Sequence, residues 1–234
     1  MAVFVSLAVH GQDYPWLLLS PENDSRDAET CQADEAWSSN MIQVINQNET
    51  LLKHHIVWRK GKIKNLLAMD VPFCELHFDA INSVGFSAEE KSILTEYLKR
   101  GGFILFFMDA YPYYQDDFWR IKEWPVIDFL TKELPASDPD FTTGKATEAF
   151  PFFKVHYQVV NNDATKYEIQ GNPNTPDYTL LYYRNRVCCL VEGDYGYFED
   201  GAWFPVARPF PRRFSTDLQA YRLIVNLYIY AMVQ

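Results

Sequence analysis

His10, Asp13, His77, Asp79, Asp109 and Asp194 each close or follow an apolar run of the chain. In an open α/β sheet the carboxyl ends of the strands are where ligands bind. Imidazoles and carboxylates that converge there can hold a divalent metal or act as acid and base. The plainer reading is that an aspartate at a strand end caps a loop or helix, and that a lone histidine is an ordinary hydrogen-bonded residue. No interval between these residues is a recognised ligand spacing, so both readings stay open, with Asp109 the strongest candidate.

Tyr111, Tyr113, Tyr114, Phe118 and Trp119, with Trp203, Phe204 and Phe210 further on, form the other group of interest. Such rings either close a core under long loops or line a groove for a peptide, sugar or protein. Asp116, Asp117, Glu199 and Asp200 beside them suit a basic partner, or are simply solvated.

The element that must position Asp109 and its neighbours runs from Asp70 to Tyr114. Ser87 with Glu90 makes a capping box, in which hydroxyl and carboxylate satisfy backbone N–H groups at a helix start. Ile93, Leu94, Tyr97 and Leu98 then share one helical face. Glu96 pairs with Arg100, and Lys99 and Arg100 suit the negative helix end. Gly101 can end the helix in a left-handed conformation, and Gly102 lets the chain turn into Phe103–Met108, an apolar run expected of a strand covered on both faces.

Earlier, Val3–Val9 reads as strand one, ending at His10-Gly11-Gln12-Asp13, and Ser20–Asp34 as a polar surface loop. Glu35–Leu52 reads as a helix interrupted near Asn46–Asn48, His54–Trp58 as a short strand, and Gly61–Met69 as a connection or short helix. The resulting β-α-β-α-β order predicts a mostly parallel sheet with right-handed crossovers. Later, Asp116–Leu130 reads as an amphipathic helix and Leu134–Gly144 as a loop. Phe150–Val160 and Tyr178–Glu192 are strand-rich, with a turn at Arg184-Asn185. Asp217–Val233 is apolar nearly all round and is expected to be a buried helix.

At 234 residues without a Pro/Gly/Ser-rich linker, the chain is expected to form a single domain over 1–234. Its 48% hydrophobic and 16% aromatic content excludes a disordered chain. A net charge of −10 argues against broad binding to nucleic acid or anionic membranes. No apolar run is long enough to span a bilayer. Cys31, Cys74, Cys188 and Cys189 form neither a C-x-x-C nor a zinc pattern. Cys188 and Cys189, adjacent in a strand, are expected to point to opposite faces. Reduced cysteines suit a cytoplasmic setting. A periplasmic or secreted location is the alternative, should Ala2–Val9 be what remains of a trimmed signal.

The chain resembles the bacterial family labelled domain of unknown function 4159. The likeness rests on Pro72-Phe73, on Phe86-Ser87-Ala88-Glu89-Glu90 leading to Leu94 and Tyr97-Leu98, and on Gly101-Gly102-Phe103 before Asp109. Asp117-Phe118-Trp119-Arg120, Leu134-Pro135, Asp138-Pro139, Arg186, Gly193-Asp194 and Tyr221-Arg222-Leu223 with Asn226 and Tyr230 complete it. The chain departs from the family's pattern where Glu75-Leu76-His77-Phe78-Asp79 stands in place of a Gly-His pair. The resemblance implies a fold like the class I glutamine amidotransferases, a flavodoxin-like three-layer α/β sandwich. No activity is attached to it.

Amidotransferase chemistry needs a cysteine on a sharp strand-to-helix elbow, with histidine and carboxylate partners. Cys74 lies within a strand, and no glycine elbow flanks Cys188 or Cys189. No Gly-x-Ser-x-Gly, phosphate loop or Gly-x-Gly-x-x-Gly is present. The expectation is therefore a noncatalytic binding or scaffold domain acting through a protein partner, with no cofactor. A metal-dependent hydrolase built on the strand-end residues is the alternative.

Overall fold

A computed structural model of the chain describes residues 13–24, 28–49, 56–77, 85–107, 128–145, 150–151, 154–158, 179–191 and 218–234. Its frame is a seven-stranded sheet of order β2-β1-β3-β4-β7-β6-β5. Strands β1 (Tyr14–Ser20), β2 (Ile56–Lys62), β3 (Phe73–His77), β4 (Phe103–Phe107) and β7 (Arg186–Val191) are parallel. Strands β6 (Thr179–Tyr183) and β5 (Phe141–Lys145) extend the sheet antiparallel. Helices α1 (Ala28–Asn48) and α2 (Ala88–Lys99) connect the parallel strands, and the chain also forms α3 (Leu134–Ser137) and α4 (Leu218–Met232).

Two cores flank the sheet. Trp16, Phe73, Phe103, Leu105 and Leu190 meet Met41, Ile42 and Ile45 of α1 and Val225, Tyr228 and Ile229 of α4. On the other side Leu17, Leu19, Cys74, Ile104 and Phe106 meet Leu94, Tyr97 and Leu98 of α2. This alternation along β1, β3 and β4 is what a strand covered on both faces requires.

From Gly85 to Phe107 the expected centre forms as read, while residues 78–84 and 108–114 of that stretch lie outside the described residues. Ser87 Oγ accepts from Glu90 N at 3.2 Å and Glu90 Oε2 accepts from Ser87 N at 2.9 Å, completing the capping box of α2. Arg100 Nε meets Glu96 Oε1 at 2.7 Å. Gly101 adopts a φ of 109°, the conformation that releases the chain from the helix. Arg184 and Asn185 turn β6 into β7 at φ 49° and 69°, the paired left-handed residues of a tight hairpin.

Other stretches differ. The Ser20–Asp34 reading gives way to α1, which starts at Ala28. Ala28, Gln32 and Ala36 of its first turns are exposed, and polarity alone does not separate a solvated helix face from a loop. The same helix runs unbroken to Asn48. The segment read as a loop at Leu134–Gly144 contains α3 and edge strand β5, where Phe141 is buried while Thr142 and Thr143 are exposed. Residues 154–158, expected in a strand, form turns and bends. Strand β1 was not anticipated, and the proposed strand at Val3–Val9 lies outside the described residues.

Cys188 and Cys189 do not point to opposite faces. Leu181 pairs with Cys189 and Tyr182 with Val187, so Cys188 has no counterpart on β6. This bulge breaks the alternation, and both thiols enter the core beneath α2.

Candidate functional site

The parallel strands end along one edge of the sheet at Ser20, His77, Phe107 and Val191. His77 closes β3 opposite Phe107 of β4. Helix α2 begins at this same edge, and its capping box reaches across to the chain leaving β1. Glu22 N donates to Glu90 Oε1 at 2.8 Å, so a single carboxylate that is 5% exposed fixes both the helix start and the β1 loop. Lys64 Nζ holds the Glu22 carboxylate at 2.6 Å.

Asp13 is not at this edge. It is exposed and immediately precedes β1, which puts it at the amino end of the sheet, opposite His77. The cause is the strand itself: Tyr14–Ser20 carries the buried pattern, so the aspartate enters the strand and does not leave one. His10, Asp79, Asp109, Tyr111, Tyr113 and Asp194 lie outside the described residues. Among the described residues, no three of His, Cys, Asp and Glu come together in a metal-holding arrangement.

A further residue with chemical potential lies two positions inside this edge. Glu75 is fully buried in β3, between Leu18 of β1 and Leu105 of β4, two positions before the strand closes. Ser38 of α1, equally buried, donates its hydroxyl to Glu75 Oε1. A buried carboxylate must be compensated by hydrogen bonds or charge. The signal for it was legible as a charged residue within Phe73-Cys74-Glu75-Leu76, all otherwise apolar.

The thiols are differently placed. Cys74, Cys188 and Cys189 are fully buried. Burial pushes Cys74 and Cys188 up to about 12, and Cys189 upward as well. A thiolate is the nucleophilic form, so these sulfurs are held in the inert one.

The chain matches no family model and no curated protein. No described helix is long and apolar enough to cross a membrane.

Proposed function

We propose that this chain is a noncatalytic binding domain of the amidotransferase-like α/β fold, related to the domain of unknown function 4159 family and engaging a protein partner at the carboxyl edge of its sheet. The parallel strands run β2-β1-β3-β4-β7, in spatial terms the 2-1-3-4-5 order of flavodoxin-like sheets, which supports the finer fold. The observation that carries the functional reading is the burial of Cys74, Cys188 and Cys189 inside strands, with their thiols held protonated. An amidotransferase needs its sulfur on an exposed elbow beside a base. The net charge of −10 favours a basic partner surface.

The test is incubation of the native protein with an electrophilic glutamine analogue, followed by mass mapping of its cysteines. Cys74, Cys188 and Cys189 are expected to stay unlabelled until the chain is denatured. Stoichiometric labelling of one of them in the native protein would overturn the reading. Melting of chelator-treated protein with zinc, manganese, magnesium or calcium, beside Asp109→Asn, separates binding from metal-dependent hydrolysis. A saturable rise with one metal, lost in the variant, would favour the hydrolase.

A further inference from the structure

A second polar cluster lies away from the carboxyl edge. Glu49 directly follows α1, whose end faces the amino edge because the helix returns the chain to a parallel strand. It is 3% exposed. One of its oxygens meets His156 Nε2 at 3.0 Å, and the other accepts the Tyr157 hydroxyl at 2.6 Å. From α4, the fully buried Asn226 takes the backbone of the same tyrosine at two points. Its Oδ1 accepts from Tyr157 N and its Nδ2 donates to Tyr157 O, each at 2.8 Å. The Arg222 guanidinium lies 5.4 Å from the centre of the Tyr157 ring, and its buried Nε has no hydrogen-bond partner among the described residues.

One amide side chain that satisfies both backbone groups of a residue holds it as a bound peptide is held. Main-chain bonds give affinity, and neighbouring side chains give specificity. Here the specificity comes from Glu49, which accepts from two consecutive side chains, and from Arg222 over the ring. The segment carrying His156 and Tyr157 belongs only marginally to the domain's interior. Among residues 154–158, Lys154, Val155 and Gln158 are exposed and Tyr157 packs partly against the core between α1 and α4, as Phe150 does just before them. A segment held by a few polar bonds with little apolar burial opens well before the sheet unfolds.

We propose that Glu49, Asn226 and Arg222 form a recognition site for a peptide bearing a histidine-tyrosine pair, filled in this structure in cis by the protein's own residues 154–158. The three recognising residues sit on α4 and at the end of α1, which stay in place when the segment leaves. A second peptide of the same chemistry then meets a carboxylate, a paired amide and a guanidinium already positioned. This site stands apart from the carboxyl edge and does not depend on the function proposed there.

The full chain carrying His156→Ala and Tyr157→Ala retains the site and lacks the competing side chains. It is titrated with a fluorescent peptide of residues 150–158 and followed by anisotropy. Saturable binding is expected, at least about tenfold tighter than to the unaltered protein, whose own segment competes. Replacing the peptide's tyrosine by phenylalanine and its histidine by alanine, or adding Glu49→Gln to the protein, is expected to weaken binding by about tenfold or more. A folded double variant that binds no peptide, or binds the altered peptide equally well, overturns the proposal. Should the double variant not fold, amide exchange of the unaltered protein decides. The Tyr157 amide is expected to exchange at least about tenfold faster than those of Ile104 and Phe106 in β4, and equal rates overturn the proposal.

Discussion

Arg186, the first residue of β7, donates Nη1 to Gly102 O at 3.1 Å and to Gly101 O at 3.2 Å, while Nη2 donates to Leu98 O. One guanidinium thus ties the last turn of α2 to the two glycines that follow it, and its charge opposes the negative end of the helix dipole. Two of the motifs that carried the family resemblance, Gly101-Gly102-Phe103 and Arg186, therefore meet as scaffold. Arg186→Ala is expected to lower stability by about 1.5–3 kcal/mol, read from the urea midpoint. Arg186→Lys should recover only part, because a single ammonium cannot span three carbonyls as a planar fork does. Full recovery by lysine would show that charge alone matters.

The two glycines after α2 are required for different reasons, and alanine separates them. At Gly101 the space is open, but φ is 109°, so alanine should cost about 1–2 kcal/mol through the backbone alone. At Gly102 a Cβ would overlap the Tyr97 ring, which is 4% exposed and donates its hydroxyl to Phe103 O at 3.3 Å. The ring cannot step aside, and Gly102→Ala should cost about 3 kcal/mol or more. Adding Tyr97→Leu should relieve part of the loss at Gly102 and none at Gly101. Equal relief at both sites would refute the steric account.

How far the sequence could be read follows the same division between local and distant causes. Ser87, Glu90 and Gly101 act on neighbours a few residues away, so α2 and its end were legible. The Arg184-Asn185 hairpin was legible for the same reason. Asp13 was misplaced because His10-Gly11-Gln12-Asp13 resembles a strand exit, whereas burial of Tyr14 and Trp16 depends on α1 and α4, far along the chain. Strand β5 escaped notice because its only buried hydrophobic residue is Phe141, and its pairing with β6 crosses a long stretch of sequence. The bulge at Cys188 was hidden likewise, being a property of register with β6 and not of the Cys-Cys pair. At the candidate edge, Glu75 was visible as an odd charge in an apolar strand, but its partner Ser38 lies on α1, where a serine carries no signal.

Glu90 links the helix start to the candidate edge, and two substitutions separate these roles. Ser87→Ala removes the hydroxyl that accepts from Glu90 N, and should cost about 1 kcal/mol. Glu90→Ala removes the acceptor of Ser87 N and also that of Glu22 N. It should cost about 2 kcal/mol or more, because two backbone donors lose a partner. Amide exchange distinguishes them further: the Glu22 amide is expected to exchange faster in Glu90→Ala and to be nearly unchanged in Ser87→Ala. Equal acceleration in both would mean that the β1 loop follows the helix as a whole.

Alkali should loosen the attachment of residues 154–158 through Tyr157. Its phenol is pushed from 10.0 up to about 12, first by burial, then by its hydrogen bond to Glu49 and that carboxylate's charge, with Arg222 acting the other way. The folded chain therefore holds this proton more tightly than the unfolded chain does. The stability so contributed is whole below pH 10 and is lost as pH rises towards 12. Cys74 and Cys188, raised from 9.0 to about 12, add losses of the same sign that begin at lower pH. Urea midpoints at pH 8, 10 and 11 should fall in the unaltered protein, and fall less between pH 10 and 11 in Tyr157→Phe. The variant keeps the ring's packing and the Asn226 contacts to the backbone, so residues 154–158 remain seated at neutral pH while the ionisable group is gone. An identical fall in both proteins would mean that the phenol exchanges its proton freely with solvent, and that Glu49 does not shape its titration.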